Sequence, residues 1–128
     1  MQKGIFLIIS FFVVSLVQAS QISIFVSFSM PEKLLKETLK ESANLKIPAY
    51  LNGLYHDSMP ETAIKIMQLS KDIPNLNLQI DPTAFERFAI HKVPALVVSN
   101  ERNFDVIYGN LSIKEGLSYI KTRRGDTL

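Results

Sequence analysis

No cysteine occurs anywhere in the 128 residues. Thiol–disulfide exchange needs a thiolate, so this chain cannot perform it. Its core has to hold the fold without cross-links. Excess charge is also small: the net charge is +2 and the basic residues are dispersed, which leaves no nucleic-acid footprint. The local exception is Lys121, Arg123 and Arg124, beside the polar stretch 125–128. Low-complexity tracts and Gly/Ser linkers are absent, and only two histidines are present. With 47% hydrophobic and 20% charged residues, what remains suits one globular domain with a substantial core.

The first residues differ from the rest. Lys3 gives a short positive start, residues 4–17 carry no charge, and Val17-Gln18-Ala19 places small residues at the −3 and −1 positions of a cleavage site. The apolar run is shorter than the roughly 20 residues of a membrane-spanning helix. We read residues 1–19 as a cleaved signal peptide rather than a retained anchor, residues 20–122 as one domain, and residues 123–128 as a flexible basic and polar tail.

Within the domain, residues 22–28 form an apolar, β-branched run that reads as a buried strand. A helix is predicted over 31–46, with Leu34, Leu35, Leu39 and Ala43 at three- and four-residue spacing. The charges Lys33, Lys36, Glu37, Lys40 and Glu41 suit its solvated face. A second strand covers 47–54, where Gly53 meets a backbone need. A second helix covers 60–71, with Ala63, Ile64, Ile66 and Met67 turned inward. Leu76, Leu78 and Ile80 alternate with Asn77 and Gln79 as a half-buried strand. Asp81-Pro82 opens a short helix with Phe85, Phe88 and Ile90. Residues 95–98 are a continuous apolar strand, 99–103 a polar hairpin loop and 104–108 the returning strand. A last helix presents Ile113, Leu117 and Ile120. The order is βαβαβαββα, with parallel crossovers first and a hairpin and helix at the end.

Ser-Met-Pro-Glu stands twice, at 29–32 and 58–61, each time before a predicted helix. Thr83 with Glu86 and Ser112 with Glu115 repeat the Ser/Thr-x-x-Glu spacing. This is the capping box, in which the hydroxyl accepts from the amide three residues on. Each N-cap is worth about 1 kcal/mol. The pattern assigns Ser29 and Glu32 to a helix start.

A strand ending in a turn with Pro at a helix start, followed by Val93-Pro94-Ala95 and an apolar strand, resembles the thioredoxin-like fold. The segment 85–98 is similar to the one that carries that fold's cis-proline. The likeness is greatest to the periplasmic disulfide isomerases, whose Cys-x-x-Cys would fall on Ser29 and Glu32 or on Met30 and Lys33. Neither register supplies a thiol. The expected fold class is therefore α/β and thioredoxin-like, a central mixed sheet of four or five strands flanked by helices, with Pro94 in the cis state.

A closer resemblance lies in an ordered set: residues 25–31, Gly53-Leu54, Ser58-Met59, Ile80-Asp81-Pro82, Phe85, Val93-Pro94-Ala95 and Tyr108-Gly109-Asn110. Together these resemble the TrbC family, pilus-assembly proteins of F-type conjugative type IV secretion systems, from about residue 22 to 120. One departure stands at Asn52, where the family carries Arg before Gly-Leu. The resemblance implies a periplasmic, non-catalytic assembly factor acting with TraW-like and other conjugative envelope proteins and with pilin, needing no cofactor and no metal. A generic thiol-free chaperone that binds extended peptide is the alternative.

The thioredoxin-like groove implied for a partner holds Phe28, Ser29, Met30, Pro31 and Glu32 on one side. His91, Val93, Pro94 and Ala95 stand on the other, with Asn52, Gly53 and Tyr108 nearby. Two chemical readings compete with it. Ser29, His91 and Asp81 contain the residue types of a hydrolase triad, but no Gly-x-Ser-x-Gly elbow accompanies them. His56-Asp57 with His91 contains metal-ligand types without a ligand spacing.

Overall fold

The computed structural model describes residues 20–125; the expected signal peptide at 1–19 and residues 126–128 lie outside them. The described residues form five strands and four helices, in the order β1 (Gln21–Val26), α1 (Glu32–Asn44), β2 (Ala49–Leu51), α2 (Met59–Asp72), β3 (Leu78–Ile80), α3 (Pro82–Arg87), β4 (Ala95–Ser99), β5 (Phe104–Tyr108) and α4 (Ile113–Arg124). A 3₁₀ turn, Tyr55–Asp57, sits between β2 and α2. The strands form one mixed sheet in the order β3-β2-β1-β4-β5. β1, β2 and β3 run parallel, while β4 is antiparallel to both β1 and β5. This is a mixed α/β fold with helices flanking a five-stranded sheet.

The period-2 alternation of the strands divides the core in two. Ile24 and Val26 of β1, Ala49 and Leu51 of β2, and Leu96 and Val98 of β4 face Leu35, Leu39 and Ala43 of α1, Leu69 of α2 and the buried Ile73, and Ile113 and Ile120 of α4. Phe25, Ala95 and Val97 face the other way, against Ala84 and Phe85 of α3. Gly116 lets α4 lie close on β4, since a Cβ there would come within 2.6 Å of Leu96 Cδ2.

The buried face of α2 is not the expected one. Thr62 and Leu69 are buried and Ile66 is partly so, whereas Ala63 is exposed and Ile64 and Met67 are 52% and 57% exposed. The inward stripe runs through 62, 66, 69 and 73. A threonine is tolerated there because its hydroxyl is fully used: Oγ1 accepts from Tyr55 N at 2.7 Å and donates to Ser58 O at 2.6 Å.

At two of the four Ser/Thr-x-x-Glu sites the hydroxyl caps the helix as expected. Ser58 accepts from Glu61 N at 3.2 Å and Ser112 from Glu115 N at 3.1 Å. The short helix α3 is capped by Asp81, not Thr83, with Oδ1 accepting from Ala84 N at 3.1 Å. Pro31, not Ser29, is the N-cap of α1 and gives no side-chain bond. Gly53 also differs from expectation: its backbone is not left-handed and nothing lies within 4 Å of a Cβ placed there. Gly125, at φ 66°, ends α4 in the left-handed conformation and donates to Lys121 O. The tail expected from 123 therefore begins as helix. Arg123 and Arg124 both donate to the Asp105 carboxylate on β5.

Glu41 does not belong to a solvated face. Its carboxylate reaches from α1 to the first turn of α4 and accepts from Ile113 N at 2.5 Å and Lys114 N at 3.4 Å. An anion at a helix N-terminus meets unpaired amides and the positive end of the dipole. Replacing it (Glu41→Ala) is expected to cost about 1.5 kcal/mol in urea unfolding. A loss below a few tenths would mean that Ser112 alone suffices to cap α4.

Candidate functional site

The registers place the candidate residues at one end of the sheet. Val26 pairs with Leu51, Leu51 with Ile80, Phe25 with Ala95, and Ala95 with Tyr108. The carboxyl ends of the three parallel strands, the start of β4 and the end of β5 therefore lie side by side. That end of an open α/β sheet is where ligands commonly bind, because loops, not strands, line it.

The turn after β1 closes by Met30 N donating to Ser27 O at 3.2 Å. Met30 is buried at 7% exposure in the core, so it is a packing residue and no contact for a partner. Its sulfur lies 3.5 Å from Ser27 N. Drawing Met30 inward moves the helix start two residues on and frees Ser29, whose hydroxyl lies 2.8 Å from that of Ser27. Ser29, Pro31 and Glu32 are exposed and Phe28 is half-buried.

Phe28 meets the edge of Tyr55, ring centroids 5.6 Å apart, and Tyr55 stacks on His56 at 3.8 Å. Lys65 Nζ sits 5.2 Å from the Tyr55 centroid. These rings border a hollow of about 530 Å³, with Ser29, Asn52, Gly53 and Leu54 on its wall. His56 and Asp57 hold left-handed backbones at φ 51° and 54°. Such conformations persist for non-glycine residues where surrounding contacts fix them, here the Thr62 bond to Tyr55 N. Sequence reasoning missed Leu54, Tyr55 and Lys65. The strand expected over 47–54 ends at Leu51 in the structure, which leaves the apolar-aromatic pair after Gly53 in a loop.

The second group lies on the other side of Val93. The Val93–Pro94 bond is cis. Pro94 and Ala95 are buried, Ala95 completely, so both support the surface without offering side chains to it. Val93 is half-buried and packs against both halves of the core. His91 and Tyr108 form a pair, with the Tyr108 hydroxyl 3.1 Å from His91 Nδ1 and 3.3 Å from Ala89 O. The sheet end thus carries an aromatic hollow and a Tyr-His patch separated by Val93.

The hydrolase and metal alternatives are not assembled. Ser29 pairs with Ser27, His91 with Tyr108, and Asp81 caps α3; no hydrogen bond joins the three to one another among the described residues. His56 approaches Glu61 at 3.6 Å, and no group of three His, Asp or Glu stands where it could hold a metal ion among the described residues.

Comparison with known proteins agrees with the resemblance seen in the sequence. The family described as "Type-F conjugative transfer system pilin assembly protein" matches residues 24–120. A relative named "Periplasmic protein TrbC", from Escherichia coli (strain K12), is 42% identical over 96 residues, which are 75% of this chain and 45% of the relative. The chain thus spans less than half the length of the curated relative it matches. No helix among the described residues is long and apolar enough to cross a membrane. The family match runs from within β1 through β5 and into α4, and the chain belongs to the pilin assembly proteins of type-F conjugative transfer systems.

Proposed function

We propose that this chain is a periplasmic, non-catalytic assembly factor of an F-type conjugative type IV secretion system, acting in pilus assembly through protein–protein contacts. The family match over residues 24–120 carries the reading, and the relative named as periplasmic supports its location. The fold is read as thioredoxin-like: a helix follows the first strand's turn, and a cis-proline precedes the antiparallel hairpin. In that fold the same end of the sheet would carry a thiol pair. This chain has no cysteine, and partner binding is what such a surface can still do.

The contact surface we assign is the hollow of Phe28, Ser29, Asn52, Gly53, Leu54 and Tyr55 together with the His91–Tyr108 patch. Its rings supply rigid apolar area, while Asn52 and Ser29 supply hydrogen bonds, a combination suited to an interface anchor. TraW-like envelope proteins and pilin are the proposed partners, copurifying in fixed stoichiometry.

Deleting the gene in a donor strain is expected to abolish pilus production and DNA transfer, with both restored by the wild-type gene. Phe28→Ala and Tyr55→Ala should restore them poorly at normal protein levels, while Tyr119→Ala, on the exposed face of α4, should restore them fully. Normal piliation and mating after deletion would overturn the assembly role. Full rescue by both hollow variants would overturn the surface assigned to it. Suppressed aggregation of unrelated unfolded proteins, with no fixed partner, would instead favour a general chaperone.

A further inference from the structure

We infer that β5 is a self-complementary edge that pairs with β5 of a second copy, in an antiparallel arrangement about a two-fold axis through Val106. The backbone groups that the hairpin leaves over point to this pairing, independently of the proposed assembly role.

β4 and β5 pair with Ala95 opposite Tyr108 and Ser99 opposite Phe104. Two bonds just beyond the strands fix the phase of the ladder: Gly109 N donates to Pro94 O at 3.3 Å, and Asn100 N to Asn103 O at 2.9 Å. Both join residues of the same register, and hydrogen-bonded and non-bonded pairs alternate in an antiparallel ladder. Asp105 and Ile107 therefore bond inward to β4. The amides and carbonyls of Phe104, Val106 and Tyr108 point outward, and β5 is the last strand of the sheet.

Pairing Val106 with Val106 of a second copy sets Phe104 opposite Tyr108 of that copy, and Tyr108 opposite its Phe104. Every bonded pair in that register consists of outward-pointing residues, so all the leftover groups are satisfied together. Their side chains share the α3 face, where Val106 and Tyr108 join the Phe25 cluster and Phe104 meets Phe88 at 5.2 Å. The contact thus places an aromatic pair on each side of a valine pair, a favourable cross-strand combination. Asp105 falls opposite Ile107, and each carboxylate is already held by its own Arg123 and Arg124, so no two carboxylates oppose each other.

The other edge is built differently. β3 has three residues between Pro74 and Pro82, features that discourage pairing. β5 has five residues, no lysine and no proline, and Phe104 is 47% exposed.

Sedimentation of the purified full chain from about 10 µM to about 1 mM should show a monomer–dimer equilibrium, since a one-strand contact is at the small, weak end of interfaces. Val106→Pro removes an outward donor, keeps an apolar side chain of similar size on the α3 face, and leaves the hydrogen bonds to β4 intact. Phe104→Lys replaces an exposed ring with an edge charge. Each should weaken association at least tenfold (about 1.4 kcal/mol) with an unchanged circular dichroism spectrum. In the cysteine-free background, Val106→Cys should cross-link on oxidation, because bonded antiparallel pairs hold their Cα atoms about 5.5 Å apart. Ile64→Cys, on the exposed face of α2, should not. A chain that stays monomeric at the highest concentration, or dimers that both edge variants leave intact while folded, would overturn the inference.

Discussion

Phe25→Ala is expected to lower the free energy of unfolding by about 4 kcal/mol, with the urea midpoint as the readout. Phe25 has no exposed surface and stands at the centre of the smaller core cluster. Its ring meets Phe85 edge-on at 4.9 Å, Phe88 at 5.9 Å and Tyr50 at 5.5 Å. Truncation removes the transfer free energy of a whole ring, the aromatic pair terms and the contacts lining the resulting cavity. Helix α3 has six residues and too few other apolar anchors to close over the gap. Domains of this size are stable by about 5–15 kcal/mol, so the variant would be marginal at 37 °C. Phe25→Leu should cost less than half as much. A loss below about 1 kcal/mol for the alanine variant would mean that α3 collapses onto the sheet and fills the space the ring leaves.

Thr62→Val is the second large effect, about 2 kcal/mol from a change that leaves side-chain volume almost constant. Valine returns nothing to Tyr55 N, which has no other acceptor among the described residues. A partly buried donor left unpaired loses its full desolvation penalty. The same bond fixes the 3₁₀ turn in which His56 and Asp57 hold left-handed backbones, so the turn should loosen and the Tyr55 ring leave Phe28. Amide exchange at residues 55–57 should accelerate at least tenfold, and in donor cells the variant should lower pilus production beyond what its protein level explains. Thr62→Ser keeps the hydroxyl and should recover both. Unchanged exchange in Thr62→Val would assign the turn's rigidity to ring stacking instead.

The strands are legible in the sequence as short apolar runs, with strict alternation at β3, and the helix α4 because Ser112 marks its start and Ile113, Leu117 and Ile120 share one face. What escapes depends on tertiary context. Ser-Met-Pro-Glu caps a helix at Ser58, where Met59 is 60% exposed, and fails to cap one at Ser29, where Met30 is buried. The tetrapeptide is the same; whether its methionine has a core to enter decides where the helix begins. Helix α2 misleads for a related reason. Apolarity predicts Ile64 and Met67 inside, yet the hydroxyl of Thr62 finds two backbone partners and its face wins. At the site, the turn after β1 is visible in the sequence, as is Val93-Pro94. Tyr55 and Lys65 are not, since their approach to Phe28 depends on a loop whose course no local pattern specifies.

β1 lies at the centre of the sheet, yet its two neighbours come from very different distances along the chain. β2 follows it closely; β4 begins at Ala95, and Ile22 must wait for Val98 to pair. A chain emerging from its N-terminus can build β1, α1, β2, α2 and β3 as a parallel half-sheet while the other side of β1 stays open. Only when residue 108 has emerged can the complete hairpin dock and cover that apolar side. Until then β1 is itself an unpaired edge, able to capture strands from other chains. The order of the strands thus makes the last third of the chain the step that completes folding, and a nascent chain halted before the hairpin is the form most exposed to aggregation.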